Sequence, residues 1–329
     1  MQIVDRLLNR SEQAAFRELE RVAVDNGLRA FAKPRLSDVI QKSGAYLSQR
    51  EFDYFTRSHC DFVVTDDAYR PLMVVEYDGP FHADAKQQER DRIKNGLLKQ
   101  AGLGLLRIND RHVTKLYRGM SVLRWIIEVT ELMKSFDEWQ RTGQIPLDEP
   151  FDPAAFDSIH GGKRFPYWLS APATRSFHAF FKTLDPARPH GWTSFVGRDA
   201  DGTVCQLSTL YFEDQVLCAK TAVRRQDLLF PHYDLLYELD GCELGERLAR
   251  FRRGELRAST KTEFRRVFDR YCEQYDPHPS HSSGAFPFEI AWDHRGMRYR
   301  DDPLANDRPA NSKAADKVSA ATANGGAVP

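Results

Sequence analysis

The tightest constraint on this chain is a pair of apolar runs, CDFVV at 60–64 and LMVVEY at 72–77, separated by TDDAYRP. Short runs rich in Val read as strands, and Asp66-Asp67 with Pro71 marks a turn, so the two form a β-hairpin. Runs that are apolar at nearly every position belong to a sheet covered on both faces. Each run nevertheless carries an acid, Asp61 and Glu76. The turn midpoint falls between Ala68 and Tyr69, and strands pairing symmetrically about it set Asp61 directly opposite Glu76. Two carboxylates facing each other in a covered sheet repel and lose hydration unless a proton or a cation sits between them. Asp78 stands two residues past Glu76 and points to the same face. A group of hard oxygen donors of this kind suits Mg²⁺ or Mn²⁺.

The flanks extend the pattern. Apolar residues at spacings of three and four (Ala15, Phe16, Leu19, Val22) predict a helix from Ser11, its N-cap, to Asp25, with Gly27 just past its end. A short strand is expected near Arg29–Leu36. After Glu76, Gly79 and Pro80 break the strand, and Phe81-His82 leads into a helix capped by Asp84 that runs to about Ala101. A histidine at such a corner can protonate a leaving group or hold a phosphate. On that helix Gln87, Asp91, Lys94 and Leu98 form one stripe, which can aim the Lys94 ammonium at the carboxylates. A strand GLLRI (104–108) follows, then a helix over roughly Thr114–Gln140. The order helix, strand, hairpin, helix, strand predicts an α/β sandwich.

Over residues 8–112 these features resemble the PD-(D/E)xK nuclease superfamily, whose core is α-β-β-β-α-β with an Asp on its second strand and a Glu on its third. The string Glu76, Asp78, Gly79, His82, the helix with Asp91 and Lys94, and Leu106-Arg107 is similar to the very-short-patch-repair-like branch. It resembles in particular the bacterial family called domain of unknown function 2726. The resemblance implies a restriction-endonuclease-like fold and an acid on the first helix, matched by Glu12. It also implies a metal held by Asp61, Glu76, the Tyr77 carbonyl and Asp78. Catalysis would rest on Asp61, Glu76, Glu12, Lys94 and His82, with Gln87 and Arg107 meeting nucleic acid. The superfamily's lysine normally stands two residues after the Glu, where this chain has Asp78. Lys94 is the candidate replacement, with Gln87 second.

At 329 residues the chain exceeds one ordinary core. The reading divides it into a nuclease domain at 1–140, a linker at 141–159 marked by TGQIPLDEPFDP, an α+β domain at 160–300 and a disordered tail at 301–329. In the α+β domain, strands around TSFVGRD and TVCQLSTLYF are joined by Asp201-Gly202, and two helical stretches fall within 233–275. Its many aromatics are expected in the core, and His278 and His281 in a loop. Net charge is zero, so a DNA partner would be met by local basic patches such as 245–270, which reads equally as a solvated helical surface. Five scattered cysteines without a C-x-x-C pair suit reduced thiols in the cytoplasm. No apolar run is long enough for a membrane span. The expected function is a Mg²⁺-dependent or Mn²⁺-dependent nuclease acting on DNA. The alternative is a catalytically inactive nuclease-fold module that binds nucleic acid or a protein partner, the latter through 160–300.

Overall fold

The structure, a computed structural model, describes residues 3–44, 46–79, 85–157, 164–183, 188–284, 286–288, 290–293 and 296–299. The protein is mixed α/β. Helix α1 (Arg10–Asp25) precedes β1 (Arg29–Ala32), and α2 (Leu36–Val39) and α3 (Gln49–Arg57) lead to β2 (Phe62–Thr65) and β3 (Pro71–Tyr77). Helix α4 (Ala85–Gln100) then crosses over to β4 (Gly104–Ile108). The sheet order is β1-β2-β3-β4, antiparallel except for the β3–β4 pair that α4 connects. Phe62 faces Val75 and Val63 faces Val74, which brings Asp61 opposite Glu76 one step on. The register slips between Val64 and Thr65, at the turn end and remote from the acids.

Two local expectations are corrected. The cap of α1 is Asn9, not Ser11: its side chain accepts from the Glu12 amide at 2.9 Å while Glu12 reaches back to the Asn9 amide at 3.0 Å. Between β1 and β2, α2 and α3 stand where no helix was expected, and α3 opens on a capping box of Ser48 and Glu51. The proposed Asp84 cap lies outside the described residues.

Helices cover both faces of this sheet. Val63, Val74 and Leu105 pack with Leu36, Phe55, Leu97 and Leu98 on one side. Phe62, Val64, Met73, Val75 and Leu106 pack with Ala15 and Leu19 on the other. Each such fully buried side chain contributes roughly 1.5–3 kcal/mol. The continuous apolar runs thus follow from a sheet with no wet face.

Beyond β4 come α5 (Asp110–Thr114), a tight hairpin of β5 (Leu116–Tyr117) and β6 (Met120–Ser121), and α6 (Val122–Arg141). The helix expected from Thr114 therefore starts at Val122. Arg118 and Gly119 both take positive φ, 53° and 82°, as a two-residue hairpin turn of this kind requires, and Ser121 caps α6. The proline-rich segment after α6 is packed against it. Phe151 and Phe156 meet Phe136 edge-on at 5.3 and 5.9 Å, and Gln140 donates to the carbonyls of Pro146 and Glu149.

The second region holds α7 (Ala171–Phe181), β7 (Gly191–Arg198), β8 (Val204–Phe212), β9 (Gln215–Val223), α8 (His232–Arg252), β10 (Ser259–Thr260), α9 (Lys261–Gln274) and β11 (Asp276–Gly284). Its antiparallel sheet runs β10-β9-β8-β7-β11. Gly202 turns β7 into β8 at φ 84°. His278 and His281 lie on edge strand β11 rather than in a loop. The residues from 301 on lie outside the described ones.

The two regions share a core, since Val204, Val223 and Leu236 pack in the same cluster as Leu19 and Trp125. The stretch after β9 also runs along the outer edge of β4. The Leu105 amide donates to the Asp227 carbonyl at 3.0 Å, and the Arg107 amide to the Gln226 side chain at 2.8 Å. Gly104 lets the Leu228 side chain lie close, its Cδ1 falling 2.7 Å from where a Cβ would stand. Among the described residues no helix is long and apolar enough to cross a membrane.

Candidate active site

Glu76 ends the apolar run of β3 and is only 7% exposed. By strand alternation it shares a face with Val74, toward α4. From α4 the equally buried Lys94 brings its Nζ to 2.6 Å from Glu76 Oε2 and donates a second hydrogen bond to the His59 carbonyl at 3.0 Å. Lys94 stands with Leu97 and Leu98 on the buried stripe of the helix, so packing of the leucines fixes the ammonium. The other oxygen, Glu76 Oε1, accepts from the Asp61 amide at 3.1 Å. Asp61 Oδ2 in turn accepts from the Tyr77 amide at 3.0 Å. The two acids are therefore interlocked through each other's strand.

Asp61 Oδ1 faces a residue the sequence reading did not single out. Lys33 Nζ lies 2.6 Å from it and 3.0 Å from Glu12 Oε1, joining the first helix to the hairpin. Lys33 follows β1 with φ 56°, in the left-handed region, although Pro34 comes next. Such a conformation in a non-glycine residue costs about 1–3 kcal/mol and recurs where a side chain must be aimed. Its amide donates to the Asp61 carbonyl at 2.8 Å, so the backbone holds the turn in place. Nothing in the linear pattern near Lys33-Pro34 signals this bridge.

The electrostatics follow from burial and neighbours. Burial raises the Glu76 pKa, and the Asp61 charge adds to that, while Lys94 works against it. For Lys94, burial pulls downward, but the charge of Glu76 and then Tyr54 outweigh it and the pKa is raised. Lys33 is likewise raised, by Asp61 and then Glu12, against the pull of burial. Both lysines are therefore ammonium ions. Cys60 beside them is pushed up to about 12 by burial and is no nucleophile.

The other expected residues sit differently. Asp78 donates its amide to the Ile108 carbonyl at 2.7 Å, and its carboxylate is held by Arg107 at 3.2 Å and by Arg224. Arg107 also meets Asp91 at 3.4 Å and Asn95 at 3.0 Å. These residues line a cavity of about 410 Å³ next to the interlocked acids. The Tyr77 phenol donates to Asp110 at 2.6 Å, leaving the Tyr77 main chain as its link to the acids. Gln87 lies on α4, but its side chain and all of His82 fall outside the described residues. Arg253 and Arg257 of the basic run at 245–270 pair with Glu255 and Glu263 of the same run.

Three carboxylates, Glu12, Asp61 and Glu76, thus gather around two ammoniums, Lys33 and Lys94, leaving one net negative charge. Among the described residues no three His, Cys, Asp or Glu side chains come close enough to cage a metal by themselves. Mg²⁺ does not need such a cage, since it keeps several waters and is held by one or two carboxylates plus a substrate phosphate. Asp61 and Glu76 supply hard oxygen donors of the type that requirement names, and each of their four oxygens already accepts one hydrogen bond.

Residues 4–121 match the model of a family described as Protein of unknown function (DUF2726), a span that contains every residue of this site. Comparison with curated proteins and with solved structures gave no match.

Proposed function

We propose that this protein is a metal-dependent nuclease that hydrolyses phosphodiester bonds of DNA at the Asp61–Glu76–Lys94 site. The observation carrying this reading is the buried contact of Lys94 with Glu76 at 2.6 Å. It puts an ammonium beside the strand-end acid although the sequence has Asp78 where a lysine two residues after the Glu was expected. Asp61 and Glu76 would hold Mg²⁺ or Mn²⁺, with the Tyr77 carbonyl at the same strand end. When bound, such an ion acidifies water and offsets negative charge on a phosphoryl group.

The chain's own groups do the rest. Lys94, anchored by Glu76 and the His59 carbonyl, presents a fixed positive charge to a phosphate oxygen and orients the attacking water. Because its pKa is raised, it acts as a cation and hydrogen-bond donor rather than as a base. Lys33 donates to the outer oxygen of Asp61, which holds that carboxylate in position. The reciprocal bonds between Asp61, Glu76 and Tyr77 fix both acids before any substrate arrives, which is the preorganisation that electrostatic catalysis requires.

The test is incubation with linear, supercoiled, nicked and single-stranded DNA, each with Mg²⁺, with Mn²⁺ and with chelator. The same series is run with Asp61→Ala, Glu76→Ala and Lys94→Met. Metal-dependent cleavage lost in all three variants supports the reading, and cleavage that survives them sinks the site. A second reading is favoured by the Lys33 bridge, which places one ammonium between Glu12 and Asp61 without any metal. In that reading the fold binds nucleic acid without cutting it. Metal-independent binding with no cleavage on any substrate is its signature.

A further inference from the structure

Helices α3 and α4 enclose a concavity of about 690 Å³ on the sheet face that carries Lys94. Three arginines line it: Arg50 and Arg57 from α3, and Arg90 from α4. Arg50, Tyr54 and Arg57 follow one face of α3, three and four residues apart. Arg90 stands one turn before Lys94 on the same stripe of α4. The floor is Tyr54 and Ile93, and the Tyr54 hydroxyl is within electrostatic reach of Lys94 and Glu76. Tyr54 thus links the arginine-lined concavity electrostatically to the proposed reaction centre.

Charge in this groove is poorly balanced from within. Arg50 meets Glu89 at 3.3 Å, and Asp53, the acid on the wall, accepts from Gln49 at 2.9 Å. Among the described residues neither Arg57 nor Arg90 stands within ion-pair distance of a carboxylate. Ser58, at the inner end, has a buried Oγ with no hydrogen-bond partner among the described residues. A buried hydroxyl and two exposed guanidiniums around one concavity suit an oxyanion ligand. Tyr54 offers a flat face for a base. A single strand, whose bases are free to stack, suits a groove that sets arginines around one aromatic side chain.

We propose that the α3–α4 groove binds the sugar-phosphate backbone of single-stranded nucleic acid, with Arg57 and Arg90 on phosphates flanking the scissile one and Tyr54 under a base. The proposal rests on the nuclease reading for its scissile phosphate, but the binding it describes is measurable without cleavage.

The experiment is fluorescence anisotropy of a labelled single-stranded DNA oligonucleotide, titrated with full-length protein over a range of salt and in chelator. The same oligonucleotide with a neutral methylphosphonate backbone and a blunt duplex serve as controls. Arg57→Gln/Arg90→Gln is expected to weaken binding about tenfold. It should also lower the slope of log K against log salt by about 1.4, since each single-strand phosphate contact contributes about 0.7. Tyr54→Ala should weaken binding with the salt slope unchanged. Both arginines and Tyr54 are partly or fully exposed, and a thermal melt establishes that each variant is folded. Unchanged affinity and slope in the arginine variant would overturn the proposal, as would equal binding of the methylphosphonate strand or of the duplex. Arginine-dependent binding with no cleavage anywhere leaves the groove standing and removes the nuclease reading. Cleavage by a variant whose binding matches the parent protein removes the groove and leaves the nuclease reading.

Discussion

Glu76 in the first region and Asp240 in the second are both almost fully buried acids, 7% and 1% exposed, yet they are compensated in opposite ways. Glu76 faces an ammonium. Asp240 accepts from the Ser208 hydroxyl and from the Gln206 amide at 2.9 Å, and among the described residues no lysine or arginine pairs with it. Nearby Glu238 is likewise held by a neutral donor, the Ser170 amide at 2.6 Å. Burial is the largest influence on all three acids. With neutral donors as their hydrogen-bond partners, Asp240 and Glu238 are pushed up to about 7. An acid beside an ammonium has an opposite charge working against the push of burial. An acid inside a hydroxyl–amide network can be neutral and serves to tie elements together. The same desolvation thus yields a chemical site in one sheet and a structural rivet in the other.

Four substitutions break or sharpen this contrast. The largest effect is expected from Glu76→Gln, which removes the anion on which both the proposed cation and Lys94 depend. Initial cleavage rates on a labelled oligonucleotide should fall by about 10²–10⁴-fold. Next, Lys94→Met strands a buried carboxylate and should lower unfolding stability in urea by about 3–5 kcal/mol. The double variant Glu76→Gln/Lys94→Met should recover most of that loss, and a double loss equal to the sum of the two single losses would show that the pair is not coupled. Asp240 tests the other side. Its folded pKa of about 7 against an ordinary 3.8 means its stabilising contribution is complete below about pH 4 and is lost as pH rises through 7. Melting temperature should therefore drop between about pH 4 and 7, and Asp240→Asn should make the slope shallower, Glu238 supplying the remainder. A parallel slope in the variant would assign the loss elsewhere. The smallest effect is expected at Lys33, whose side chain is 30% exposed. Lys33→Met should change stability by under about 1 kcal/mol, because partly solvated pairs are screened. It should nonetheless tighten Mn²⁺ binding measured by calorimetry, since Lys33 and a metal compete for Asp61.

Much of the first region was legible because its constraints are local or symmetric. Apolar runs fixed the hairpin, and counting outward from its turn placed Asp61 against Glu76. The stripe through Lys94 was legible as a helix face. Legibility ended where long-range geometry decides. Lys33 reaches its acids through a positive-φ turn before Pro34, which no periodicity encodes. Asp78 shared its parity with Glu76, but arginines from β4 and from beyond β9 take its carboxylate. Helix α3 was missed although Ser48 and Glu51 spell a capping box, because the segment is short and polar. The hairpin at Arg118-Gly119 was absorbed into a helix because the apolar spacing of α6 continues backward past its true start.

The stretch from Arg224 to Leu228 has a consequence for any shortened form of this protein. It lies along β4 as a partial fifth strand, shielding amide and carbonyl groups that a bare sheet margin would offer to other molecules. A chain stopped near the end of β6 would keep the acids and Lys94 but expose that margin, together with the apolar surface that Val204, Val223 and Leu236 now cover. Two such fragments would zip together margin to margin, as unshielded sheets do. The second region is in this sense a built-in cover for the margin of the first sheet.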